Sequence, residues 1–155
     1  MLWLVVVLAV VGFWWVLVPL FERFAPPAAV RAYQRLTNTF LRPMAGWVPG
    51  FALVETTGRR TGLRRRTPVG GRRQNDTFWF VAGIGRRTRY VRNIEANPRV
   101  RVKRLGRWHA GTARLCPEDD WRRRMFRVNP TNGLFLWIAG GEGMTVRVDL
   151  DGGDR

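Results

Sequence analysis

Cysteine, histidine, lysine and tyrosine are all scarce in this 155-residue chain, which holds one Cys, one His, two Tyr and, among 27 basic residues, a single lysine. The lone Cys116 excludes an internal disulfide, and with His109 as the only imidazole a conventional Cys/His zinc site is excluded too. Carboxylates are also few. Lys and Arg number 27 against 11 Asp and Glu, giving a formal net charge of +16. Setting aside Lys103, 27 − 1 leaves 26 arginines. Such an excess attracts polyanions: phosphate, anionic lipid, nucleic acid or a polycarboxylate. Chemistry must come from a bound cofactor or from arginine and hydroxyl groups. The length suits one domain with a core.

Charge is missing from Leu2 to Phe21, LWLVVVLAVVGFWWVLVPLF, a run of 20 residues. At about 1.5 Å per residue it spans roughly 30 Å, the hydrocarbon thickness of a bilayer. The run exceeds an ordinary signal-peptide core and no basic residue precedes it, so residues 1–25 read as a transmembrane anchor. A cleaved signal peptide and a buried core helix are the alternatives. Arg23, Arg31, Arg35 and Arg42 follow with one acid, Glu22. The positive-inside rule then predicts a single-pass membrane protein whose C-terminal domain is cytoplasmic. Residues 26–50 form a linker and an amphipathic helix, in which Val30, Tyr33, Leu36, Phe40 and Leu41 recur at helical spacing. That helix either lies on the membrane surface or, the preferred reading, packs on the domain.

Residues 51–150 read as one α+β domain, followed by a frayed tail at 151–155. Short β-branched and aromatic runs predict strands at 51–57, 65–69, 77–83, 99–105, 108–115 and 144–150. In the last, Met144, Val146, Val148 and Leu150 should face inward, and Thr145, Arg147 and Asp149 outward. Turns are expected at Gly70-Gly71, Gln74-Asn75-Asp76 and Gly106. Helices are expected at 88–96 and from Pro117, the latter with Glu118, Asp119 and Asp120 in its first turn. Adjacent hairpins with few helices predict a small antiparallel barrel rather than a doubly wound sheet.

The stretch TTGRRTGLRRRTPV, residues 56–69, packs Arg59, Arg60, Arg64, Arg65 and Arg66 among glycines and threonines without a carboxylate. Gly58 and Gly62 allow positive φ, so successive amides could form an anion-holding nest to which Thr61 adds a hydroxyl. Solvated arginines on a hairpin turn are the plainer alternative. A second cluster, Arg86, Arg87, Arg89 and Arg92, follows the glycine-bracketed bend Ala82-Gly83-Ile84-Gly85.

These residues carry a resemblance. Gly58-Arg59-Arg60-Thr61-Gly62, Arg65 and Thr67-Pro68, followed by Tyr90, Asn93 and Ala96-Asn97-Pro98, resemble the deazaflavin-dependent nitroreductase and quinone reductase family over about Leu53 to Leu115. The resemblance implies a split β-barrel, akin to flavin-binding barrels, that binds coenzyme F420; FMN is the less favoured cofactor. It implies that Arg59, Arg60, Thr61, Gly62 and Arg65 hold the phosphodiester and oligoglutamate tail. Thr67 and Pro68 would meet the ring system, Ala82, Gly83, Ile84 and Gly85 would offer amides to its edge, and Tyr90 and Asn93 would lie beside ribityl chain and ring. The implied reaction is hydride transfer from reduced F420 to a quinone- or nitro-type acceptor, with a membrane quinone suited to the anchor and a homodimer as one assembly. Leu63 and Arg64 stand where the family commonly has a polar residue and proline. Family members often carry tyrosines near the C-terminus, whereas this chain has RVNPTNGLFLWIAGGEG, in which Asn129, Thr131, Phe135 and Trp137 are the acceptor-pocket candidates. The alternatives are a non-catalytic barrel binding an apolar ligand such as a fatty acid, and a basic domain binding anionic lipid or nucleic acid. Nucleic acid is disfavoured by the lack of a helix-turn-helix or RNP-like pattern. Cys116, before Pro117, could have a lowered pKa as a helix cap, though packing is its preferred role.

Overall fold

The computed structural model describes residues 17–18, 20–130, 133–134, 138 and 142–152. Most of the apolar run assigned to the anchor lies outside the described residues, as do Thr131, Phe135, Trp137 and the end of the tail. Among the described residues no helix is long and apolar enough to cross a membrane.

The period-2 runs become six strands: β1 (Phe51–Thr57), β2 (Arg64–Gln74), β3 (Thr77–Ala82), β4 (Arg99–Arg104), β5 (Arg107–Cys116) and β6 (Met144–Leu150). They close into a barrel in the order β1-β2-β3-β6-β5-β4, with every neighbouring pair antiparallel. Alternate residues fill the interior, notably Val54, Phe78, Phe80, Val102, Val146 and Val148. Burying each such side chain contributes about 1.5–3 kcal/mol before chain entropy is set against it.

Gly70-Gly71, expected as a turn, instead lies inside β2. A Cβ on Gly71 would stand 2.1 Å from Phe78 Cζ, so this glycine makes room for a core ring rather than reversing the chain. The reversals come at Asn75, with φ 54°, and at Leu105-Gly106, with φ 48° and 82°. Two successive left-handed residues suit a tight hairpin because their twist matches that of the flanking strands.

Among the described residues, helices α1 (Pro27–Ala45), α2 (Arg89–Ala96) and α3 (Trp121–Val128) pack on the barrel. Helix α1 packs against β1 and β2 and buries Ala45, as the packing alternative expects, while Leu36 and Met44 remain exposed. Helix α3 begins later than expected. Asp120 caps it, accepting from the amides of Arg122 and Arg123 at 3.1 and 3.2 Å, so Pro117, Glu118 and Asp119 precede the first turn. Asp119 turns back instead, bonded to Arg124 Nε and Nη2, both at 2.9 Å, and to the Thr145 hydroxyl at 2.9 Å. Thr145 lies on the strand face opposite core residue Val146, as alternation expects, and is buried there beneath the segment leading into α3.

The hydrogen bond from Arg124 holds the Asp119 carboxyl below the usual carboxylate range, with Thr145 adding to the effect and burial opposing it. A depressed folded-state pKa contributes stability that is complete above the unfolded value, near pH 4, and is lost as pH falls through the folded value. Asp119→Asn is therefore expected to cost about 1–3 kcal/mol at pH 7, with the gap from wild type closing in acid. Denaturant titrations at the two pH values check this.

Candidate functional site

Strand direction decides which loops meet. With all neighbours antiparallel, β1, β3 and β5 end, and β2, β4 and β6 begin, at one rim of the barrel. The arginine loop (58–63) and the bend (83–88) therefore share that rim, and α2, directly before β4, caps it with Ile94 packed into the core.

The loop is a closed reversal. Gly58 N–H donates to Leu63 O at 2.8 Å, and the amides of Thr61 and Gly62 both donate to Gly58 O. Arg59 N–H donates to Asn93 Oδ1 at 3.2 Å, and Asn93 Nδ2 donates to Thr56 Oγ1 at 3.2 Å. The expected nest of free amides is therefore not formed, because the hairpin consumes these donors in closing. Gly62 has the anticipated positive φ, 67°. Gly58 is needed for space instead, since a Cβ there would lie 2.9 Å from Thr61 Oγ1. Asn93, expected beside the ligand, is buried and clips the loop to α2. What the loop presents outward are the guanidinium groups and the Thr61 hydroxyl, which accepts from Leu63 N–H at 3.4 Å.

A carboxylate one residue before the quoted stretch divides these arginines. Glu55, only 4% exposed, accepts from Arg66 Nε at 2.8 Å and from Arg64 and Arg101 Nη1 at 3.4 Å each. The register pairs Glu55 with Arg66 and Thr57 with Arg64, so both arginines lie on the outer face. Arg65, opposite Thr56, belongs to the other face with Thr67, which pairs with core residue Val54. Arg59, Arg60 and Arg65 are exposed and form no ion pair among the described residues. Pro68 pairs with Leu53 on the outer face.

In the second loop, Ala82 is the buried end of β3 and Ile84 is exposed. Gly85 has φ 55°, and a Cβ there would stand 2.6 Å from Glu142 O. The amides of Ile84 and Gly85 donate to no described residue. Arg87 pairs with Glu142 at 2.8 Å and Arg86 with Glu95 at 3.5 Å, so acids answer two of the four arginines of the second basic cluster; Arg92 Nε donates to Arg86 O at 3.2 Å. Tyr90 packs on Phe80, ring centroids 6.1 Å apart, and burial pushes its phenol well above the ordinary range. It stays neutral at physiological pH.

Beside the rim lies a cleft of about 240 Å³ lined by Glu55, Thr56, Thr57, Arg64, Arg99 and Arg101, with Val100 and Ala110. None of the residues assigned to ligand binding from sequence lines it. Glu55, Arg99 and Arg101, which line the cleft, carry no assignment from the sequence. The available signal was a lone acid within the otherwise apolar strand FALVETT, which must find cations to be buried. Asn129 bonds Gly50 O at the opposite end of the barrel, away from any acceptor site at the rim. Cys116 ends β5 rather than capping a helix, and burial raises its pKa.

Solved structures of similar shape include an F420-H2 dependent reductase (FDR-A), 21% identical over 64% of this chain and 94% of that one, TM-score 0.53. Another, described as a domain-swapped dimer, is 19% identical over 77% and 98%, TM-score 0.54. A third, the Vibrio cholerae protein HutZ, is 14% identical over 74% and 88%, TM-score 0.51. These likenesses concern the fold. No curated protein matches the sequence. The family described as F420H(2)-dependent quinone reductase matches residues 28–150, most of the chain including the whole barrel and both rim loops, and the protein belongs to that family.

Proposed function

We propose that the protein is a membrane-anchored reductase that uses coenzyme F420 to reduce a quinone- or nitro-type acceptor at the cytoplasmic face. The observation that carries this reading is the division of charge at the rim. Arg59, Arg60 and Arg65 on the first loop and its strand, with Arg89 and Arg92 beyond the second, lack acidic partners among the described residues, while Arg64, Arg66, Arg86 and Arg87 have them.

The donor set fits an elongated polyanion. Guanidinium forks on a short, internally bonded loop match phosphodiester and carboxylate oxygens, and the amides of Ile84 and Gly85, which donate to none of the described residues, match acceptor atoms on a heterocycle edge. When bound, reduced F420 supplies a hydride. In this reading Arg59, Arg60 and Arg65, with Thr61, hold the tail. Thr67, Pro68 and the bend from Ala82 to Gly85 flank the ring, and Tyr90, backed by the core ring of Phe80, forms an apolar wall that limits water. The positive rim also favours negative charge developing on an acceptor oxygen. The uncharged run from Leu2 to Phe21 supports anchoring, which suits an acceptor dissolved in lipid.

Titration of the full chain in detergent should change F420 fluorescence near stoichiometric ratios, and added salt should weaken the binding. Reconstituted protein should oxidise reduced F420 when a menaquinone analogue is present. An unchanged fluorescence would remove the cofactor site. Binding without turnover on any quinone or nitro compound would remove the acceptor assignment.

A further inference from the structure

At the end of the barrel remote from the arginine rim, large apolar side chains face outward. Trp47 is 61% exposed, Met44 57%, Leu105 48% and Val48 38%. They form one group. The amides of Trp47 and Val48 both donate to Met44 O, and Gly106 N–H donates to Gly46 O at 2.8 Å. The Trp47 ring lies on Gly106, where a Cβ would stand 2.6 Å from its Cζ3. This places the tryptophan against the β4–β5 turn that carries Leu105. Glycine at 106 thus serves two needs, the left-handed turn and the ring above it.

We infer that this end is a surface that docks on anionic lipid headgroups, so that the domain stands on the membrane with its coenzyme rim toward water. The occupant is chosen by the composition of the patch. Lys103 Nζ sits 4.8 Å from the Trp47 ring centroid, and Arg104 follows it into the same turn. Arg42 is exposed in the last turn of α1, two residues before Met44. No acid occurs between Glu22 and Glu55 or between Glu95 and Glu118, so the segments that build the patch are cationic; the β2–β3 turn at the same end of the barrel adds Asp76, which pairs with Arg73 at 3.6 Å. Indole and aliphatic groups ringed by Lys and Arg suit the interface, where the apolar part enters the acyl boundary and the cations meet phosphates. A protein partner or a second copy would have to answer this charge with acids, and the chain has few to offer.

The topology gives the surface its use. The two ends of the barrel are separated by the length of its strands, so a surface engaged at the Leu105 turn leaves the arginine loop accessible to a water-soluble polyanion. Anionic lipid, itself a competitor for guanidinium groups, is thereby kept from the rim. The inference rests on the membrane location proposed above but not on the coenzyme.

The test uses the full chain reconstituted in phosphatidylglycerol-containing bilayers, with an environment-sensitive dye placed at Leu105→Cys or at Leu63→Cys on a Cys116→Ser background. Leu63 is the control, being 60% exposed on the arginine loop. A headgroup-proximal lipid quencher should quench the dye at 105 several-fold more than at 63, and less so when phosphatidylcholine replaces the anionic lipid. Trp47→Ser should reduce the difference. Equal quenching at both positions, or more at 63, overturns the inference. So does a blue shift at 105 that appears without lipid and grows with protein concentration, which would assign the patch to a second copy. If the protein fails to float with bilayers at all, the membrane location itself is overturned. Circular dichroism and a thermal melt of each variant verify its fold without reference to the coenzyme, which keeps that reading separate.

Discussion

Gly71→Ala is expected to lower the thermal midpoint by roughly 10 °C. The added carbon would stand 2.1 Å from Phe78 Cζ and 2.7 Å from Cε1, closer than atoms can pack. Phe78 is 1% exposed and belongs to the central cluster with Phe80 and Val148, so its ring has nowhere to swing. Overpacking of a full core costs typically 1–3 kcal/mol, and this contact lies at the top of that range. At about 2–4 °C per kcal/mol for a domain of this size, the shift follows. Phe78→Leu in the same chain should restore part of the loss, because the two changes share one space and will not add. A thermal melt of the two single variants and the double variant checks both statements; a Gly71→Ala protein melting with wild type would mean that the ring is not held over the strand.

The second large effect concerns affinity. Arg59→Ala with Arg65→Ala should weaken F420 binding by roughly two orders of magnitude, whereas Arg64→Ala with Arg66→Ala should weaken it only a few-fold. Both double variants remove the same formal charge, so a purely diffuse electrostatic attraction would treat them alike. The difference lies in Glu55, which already occupies Arg64 and Arg66 at 3.4 and 2.8 Å. Arg59 and Arg65 have no such partner among the described residues and can direct their donors to a ligand. Fluorescence titration at one fixed salt concentration decides. Equal losses would show that the coenzyme reads net charge rather than a chosen pair. The second variant should also lose stability, since Glu55 would keep only Arg101 to offset its burial.

Much of the barrel was legible from alternation. Strands β1 and β6 have the bounds expected from period-2 patterning, and α2 stops before Asn97-Pro98 as the proline requires. Errors came where a residue answers to a distant neighbour. Gly70-Gly71 carries turn chemistry locally, yet the ring of Phe78, seven residues beyond Gly71, claims the space. Thr145 faces away from the core as alternation expects, yet it is buried because Asp119 reaches it from the segment before α3. The nest failed partly for a similar reason, since Arg59 N–H is taken by Asn93, 34 residues on, while the amides of Gly58, Thr61 and Gly62 are spent within the loop itself.

The amino-acid sequence alone determined the class of the fold, the cationic character of the loop from Gly58 to Leu63 and the excess of guanidinium over carboxylate. These follow from local periodicity and composition, which need no knowledge of what lies across the sheet. Only the tertiary structure decided that two glycine-bracketed loops share one rim, and which arginines remain uncommitted. The antiparallel closure sets the first. The β1–β2 register sets the second, because pairing Glu55 with Arg66 turns Arg64 and Arg66 to one face of the strand and leaves Arg65 on the other.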